Sequence, residues 1–207
     1  QNLWKTFVSL GMDAKEARQV FQIYKGSMLI DNTRGVVQIN EVIDLIADGF
    51  EQVMNAGPLA REPCDKVLVR ITDLKLHEDA IHRGPAQVYP AVREGIRAAM
   101  ANADTVIFEP LQTLQIDAPE QCLGDMSKLI QNKRGQLLEV ASESGMISIK
   151  CKLPVAEMFG FTSDLRSATG GRGSHYLVDQ GFERLPKELQ EKVIRKIRER
   201  KGIKIEE

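Results

Sequence analysis

The feature that most narrows the fold is a hydrophobic period that switches between two and about 3.6 residues throughout the second half of the chain. Val106 to Ile116 alternates in and out. From Pro119 to Gln131, the residues Cys122, Leu123, Met126, Leu129 and Ile130 then recur at helical spacing and stop at Lys133-Arg134-Gly135. Two more strand-like runs, Gln136 to Val140 and Met146 to Leu153, flank the turn Glu143-Ser144-Gly145. A helical stretch from about Pro154 to Ser167 and a last strand near His175 to Asp179 complete the set. The order βαββαβ within about eighty residues is that of the split, ferredoxin-like unit.

The first half uses the same grammar. Asn2 to Leu10 is short and apolar-rich, Gly11 ends it, and Asp13-Ala14-Lys15-Glu16 has the spacing of a helix N-cap with a reciprocal acid at N3. Val20 to Tyr24 and Met28 to Ile30 read as strands around Lys25-Gly26-Ser27, with a turn at Asn32, Thr33 and Gly35. Ile39, Val42, Ile43, Ile46, Ala47, Phe50, Val53 and Met54 predict an amphipathic helix from about Asn40 to Asn55, stopped by Gly57-Pro58. Val67, Val69, Ile71, Leu74 and Leu76 predict a long strand. After a polar loop, Pro90 fits the first turn of a helix lined by Val92, Ile96, Ala99 and Met100.

These patterns predict an α+β chain of two two-layer α/β domains, residues 1–104 and a ferredoxin-like 105–184, followed by a basic amphipathic helix in 185–207. In that helix Leu189, Val193 and Ile197 form one stripe, expected to pack on protein. Lys187, Lys192, Arg195, Lys196, Arg198, Arg200 and Lys201 outweigh Glu188, Glu191 and Glu199 on the rest, the pattern of a solvated face.

Composition excludes several classes. With 28 Lys plus Arg against 29 Asp plus Glu, no overall field favours nucleic acid, so any RNA contact is local. Cys64, Cys122 and Cys151 are odd in number and lack CxxC spacing, which argues against a disulfide framework and a zinc site. Reduced thiols and a cytoplasmic setting are the expectation. No apolar run approaches a membrane span, and a start at Gln1 suggests a piece of a longer protein.

Function-bearing chemistry concentrates in residues 76–87, Leu-His-Glu-Asp-Ala-Ile-His-Arg-Gly-Pro-Ala-Gln, which hold two of the three histidines. His77, His82, Glu78 and Asp79 could be drawn as a metal site, but on a loop their spacing gives no common face. A general-base histidine is conceivable, giving a small histidine-dependent enzyme, yet no GxSxG-like nucleophile accompanies it. Thr169-Gly170-Gly171-Arg172-Gly173 precedes a strand and lacks the GxxxxGK(S/T) layout of a phosphate loop. As a stand-alone RNA-binding module the ferredoxin-like unit lacks a platform, since its first strand offers only Phe108 and its third no aromatic.

Several separated motifs, in order, carry a resemblance. They are Gly57-Pro58-Leu59-Ala60-Arg61-Glu62, the 76–87 loop, Ala118-Pro119-Glu120-Gln121, Lys133-Arg134-Gly135, and Phe159 to Ser167. Over nearly its whole length the chain resembles the fourth and fifth domains of the archaeal translation elongation factor 2 family, the ribosomal translocases. The resemblance implies a loop tip that enters the decoding region as tRNA and mRNA advance, with RNA contacts from Lys75, His77, Asp79, Arg83 and Gln87. It implies that His82, in its Ile-His-Arg-Gly context, is the histidine converted to diphthamide, making the diphthamide-synthesis enzymes partners. It also implies a monomer without a membrane role, no catalytic or metal residues in this segment, and GTP and magnesium only in domains of the parent that this chain lacks. Pro85-Ala86 stands where eukaryotic members tend to carry Gly-Gly, which fits the archaeal branch.

Overall fold

A computed structural model describes residues 3–34 and 37–204, the side chains of 37 and 38 excepted. Gly35, expected in a turn, lies outside the described residues. By their internal contacts the residues fall into two units, one comprising residues up to 105 together with those from 191 onward, the other 106–190.

The first unit opens with α1 (Leu3–Ser9) and α2 (Ala14–Gln19). Asp13 caps α2 as expected, its Oδ1 accepting from the amides of Lys15 at 2.9 Å and Glu16 at 3.0 Å. The reciprocal half of the box does not form, because Glu16 turns to an ion pair with Arg70. That guanidinium holds the Glu16 carboxyl below the usual carboxylate range. β1 (Val20–Tyr24) and β2 (Ser27–Asp31) are an antiparallel hairpin. Lys25 and Gly26, both at positive φ (46° and 77°), supply the left-handed turn that such a two-residue loop needs.

Residues 37–41 form a 3-10 turn before α3 (Ile43–Asn55), and β3 (Leu68–Ile71) then lies parallel to β2. The helical spacing read from the sequence is the buried face of α3: Ile46, Phe50, Val53 and Met54 are all enclosed. They pack with Leu29, Ile39 and Val42, and with Val88, Ile96 and Met100 of α4 (Pro85–Asn102). The two helices cross tightly at Gly49, where a Cβ would sit 2.8 Å from a methyl of Val92.

Two further expectations in this unit need correction. The long strand over 67–76 shrinks to four residues, because β2 ends at Asp31 and the Asn32 amide to the Ile71 carbonyl, at 2.9 Å, is the last bond of the ladder. Leu74 and Leu76 still turn toward the core without pairing, which is why the alternation persisted. The following helix starts at Pro85, not near Pro90. Pro85 takes the first position, where a missing N–H costs nothing, and Pro90 lies inside the helix on its exposed side.

The second unit is a four-stranded antiparallel sheet in the order β5-β6-β4-β7, built from β4 (Phe108–Pro119), β5 (Gln136–Glu143), β6 (Met146–Pro154) and β7 (Ser174–Arg184). With α5 (Leu123–Asn132) and α6 (Phe161–Thr169) this is the expected ferredoxin-like order. The inward residues of the period-two runs, Leu114, Ile116, Ala118, Ile147, Ile149, Cys151 and Leu153, meet Met126, Ile130, Phe161 and Leu165 from the helices. The helix expected from Pro154 to Ser167 is interrupted: a 3-10 turn at Val155–Glu157 precedes Gly160, whose φ of 76° starts α6 afresh. The glycine-rich stretch after α6 caps the end of that helix. Buried Thr169 Oγ1 donates to the Leu165 carbonyl at 2.8 Å and accepts from the Gly173 amide at 2.9 Å.

The terminal helix, α7 (Lys187–Lys201), has Leu189, Val193 and Ile197 half-buried, as an apolar stripe against protein would be. Among the described residues no helix is long and apolar enough to cross a membrane.

Cys122 and Cys151 are buried and Cys64 is half-buried. Burial pushes the Cys151 thiol up to about 11 and raises Cys64 as well. At pH 8 a thiol reagent is therefore expected to titrate at most Cys64 in the native chain, and slowly, whereas all three react once the chain is unfolded. Rapid labelling of Cys151 under native conditions would contradict this packing.

Candidate nucleic-acid interface

Among the described residues, those after Ile71 pair with no neighbouring strand and return as the first turn of α4. What orders the segment between is a set of local bonds. Asp79 caps a 3-10 turn, Ala80–Arg83, through its Oδ1 and the Ile81 amide at 3.1 Å, while the His82 amide donates to the Asp79 carbonyl at 3.1 Å. The Asp79 amide donates to His77 Nδ1 at 3.0 Å, which fixes His77 as an acceptor at that nitrogen.

Arg83 closes the loop. Its Nε donates to the His77 carbonyl at 2.7 Å and its Nη2 to the Glu78 carbonyl at 2.8 Å, while Nη1 meets Glu41 Oε2 at 2.6 Å. The Arg83 side chain is only 10% exposed. A planar fork with several donors suits this task, which one ammonium could not perform with the same geometry.

The rings of His77 and His82 meet edge to face, with centroids 4.5 Å apart. His82 is exposed, and among the described residues its imidazole makes no hydrogen bond. Ile81 beside it is 78% exposed, an uncommon placement for an aliphatic side chain on an otherwise polar turn. The structure thus sorts the six residues singled out in the sequence. His77, Asp79 and Arg83 build the loop, while Lys75, His82 and Gln87 present side chains to solvent with no bond inside the described residues. Lys75 and Arg83 are matched by Glu78, Asp79 and Glu41, so the tip carries no excess of positive charge.

Two contributors escaped the sequence. Glu41 lies 42 positions before Arg83, in a turn with no pattern linking them, and a single aliphatic residue such as Ile81 in a polar run carries no signal of its exposure. Among the described residues, no group of three or more His, Cys, Asp or Glu is arranged to hold a metal ion.

Comparison with known proteins covers both halves. Residues 4–104 match the family described as elongation factor G, domain IV, and residues 106–193 match the elongation factor G C-terminus. Elongation factor 2 of Nanoarchaeum equitans is 48% identical over 206 residues, which is 100% of this chain and 28% of that protein. The elongation factor 2 proteins of Pyrococcus horikoshii and Methanocaldococcus jannaschii are each 49% identical over 199 residues, 96% of this chain and 27% of theirs. The chain therefore spans little more than a quarter of the length of these relatives, matching their C-terminal part. The two family matches run consecutively from residue 4 to residue 193 and the archaeal identity is close to one half, so the chain belongs to the elongation factor 2 family, of which it holds the domain IV and C-terminal regions.

Proposed function

We propose that this chain is the ribosome-contacting C-terminal segment of a GTP-dependent translocase. In this reading the His82 loop enters the decoding region and helps tRNA and mRNA advance. The observation that supports it most is an exposed histidine held at the tip of an internally braced loop, in a chain that matches elongation factor 2 from end to end. A rigid tip transmits displacement, whereas a floppy one yields. The segment acts without catalysis of its own, and GTP and magnesium belong to other domains of the parent. It works in the cytoplasm as a monomer within that parent.

His82 is proposed as the site of diphthamide formation. Its exposure gives a modifying enzyme access, and the charge balance of the tip gives the modification a purpose. Without it the loop has no net attraction for phosphates, while a permanently cationic extension on His82 supplies one. Lys75 and Gln87 are the neighbouring side chains free to reach ribose or phosphate, with His77, Asp79 and Arg83 acting by holding the loop.

The test is made on the full-length factor purified from an archaeal host. Peptide mapping across Asp79 to Arg93 is expected to show a mass increase on His82, and replacing residues 77–83 with a short glycine-serine linker is expected to abolish translocation. An unmodified His82 in that material would remove the diphthamide assignment. Undiminished translocation with the linker would remove the loop's role.

A further inference from the structure

Away from the loop, three segments of the first unit bring five cations together. Arg61 lies in the connection after α3, Arg93 and Arg97 on α4, and Arg198 and Lys201 on α7. Lys201 Nζ donates to the carbonyls of Ala60 at 3.1 Å and Arg61 at 2.8 Å, and Arg198, one helical turn earlier, lies on the same side of α7. Arg97 Nη2 reaches the Ala56 carbonyl at 3.4 Å, on the other flank of the same connection. The described carboxylates that answer these charges are two, Glu62 with Lys201 at 2.7 Å and Glu94 with Arg97 at 3.1 Å.

The guanidiniums are also short of acceptors. Arg61 Nη1, Arg97 Nε and Arg198 Nε are each shielded from water and have no hydrogen-bond partner among the described residues. A buried donor left unpaired is destabilising, and more so when it is charged. Three of them in one neighbourhood call for an acceptor. The backbone holds Arg61 there under strain, at a φ of 52°, and the connection is pinned by the Gly57 amide to the Glu62 carbonyl at 2.9 Å and the Cys64 amide to the Met54 carbonyl at 2.8 Å. Burial, and then the neighbouring Arg97, hold the Arg61 guanidinium below its ordinary basicity.

We propose that Arg61, Arg97 and Arg198 form the seat of a phosphate-type oxyanion, with Arg93 and Lys201 supplying the surrounding positive charge. A tetrahedral oxyanion offers several acceptor oxygens, and guanidinium forks match them. Because the unpaired nitrogens are screened by neighbouring side chains, entry proceeds by rotation of the long arginine side chains toward the incoming anion. The anion then links the connection after α3 to α4 and α7. The source is either a free phosphate or a phosphodiester of an RNA backbone. The site stands on this geometry and not on the ribosomal reading.

The 207-residue chain, labelled at its arginine Nε positions, is titrated with inorganic phosphate and separately with a short single-stranded RNA, with chloride at matched ionic strength as control. Saturable shifts of the Arg97 and Arg198 Nε resonances are expected with phosphate, together with a rise in the unfolding temperature. Arg198→Gln and Arg61→Gln are each expected to weaken the apparent affinity at least tenfold, while Arg198→Lys keeps part of it. Shifts of the same resonances by RNA identify a phosphodiester as the source, and shifts by phosphate alone identify the free anion. Either result supports the seat. Shifts that never saturate, or that chloride reproduces, overturn it. Should a glutamine variant fail to fold, the wild-type titration against chloride decides the matter.

Discussion

Replacing Phe50 with alanine is expected to lower stability by about 3–5 kcal/mol, the range for removing a fully enclosed aromatic side chain. Phe50 has no exposed surface, and it sits in α3 among Leu29, Ile46, Val53 and Met54, with α4 crossing close by at Gly49. Tight packing there limits relaxation, so most of the vacated volume remains as a cavity and the cost falls toward the upper end. The melting temperature should drop on the order of 10–20 °C, and amide exchange in α3 should accelerate first. Phe159→Ala is the contrasting control. That ring is 95% exposed, and its loss should change stability by less than about 0.5 kcal/mol. Equal effects from the two substitutions would contradict the core described for the first unit.

How much of this was legible in the sequence depended on which interaction sets each feature. Period-two and helical spacing report one-sided burial, so the inward faces of β4, β6, α3 and α5 could be read before the structure. The same signal misled at Leu74 and Leu76, because it reports that alternate residues face a core and says nothing of whether a neighbouring strand is there to pair. Proline reports an incompatible backbone position but not its remedy. The sequence places Pro90 in the first turn of the helix, whereas Pro85 already fills that role and the exposed side of α4 tolerates a second one.

At the loop, residue types were legible and their partners were not. Asp79 three positions before His82 is a local turn signal, but the bond from Arg83 to Glu41 joins segments 42 residues apart and leaves no local trace. The arginine cluster is hidden for the same reason, since Arg61, Arg97 and Arg198 become neighbours only when three segments meet. Long-range polar pairing has no period, and it is what distinguishes a braced loop from a merely polar one.

Substituting Arg83 with alanine in the full-length factor is expected to slow translocation roughly a hundredfold, the scale associated with displacing a functional group by about an ångström. The substitution removes the bonds to the His77 and Glu78 carbonyls and to Glu41 together, so the turn that carries His82 loses its brace. Stability should change by only about 1 kcal/mol, because the groups left behind are exposed carbonyls and a half-exposed carboxylate that water can serve. Arg83→Lys separates this role from direct contact with RNA. A lysine keeps the charge but presents a compact ammonium, so it should restore little of the rate and leave the salt dependence of ribosome binding unchanged. Faster amide exchange at residues 77–83 in the free chain should accompany the loss, since the brace acts before any ribosome is met. If Arg83→Lys restored full rate, or if Arg83→Ala lowered the salt slope of binding while leaving loop exchange untouched, Arg83 would be a phosphate contact and not the brace of the tip.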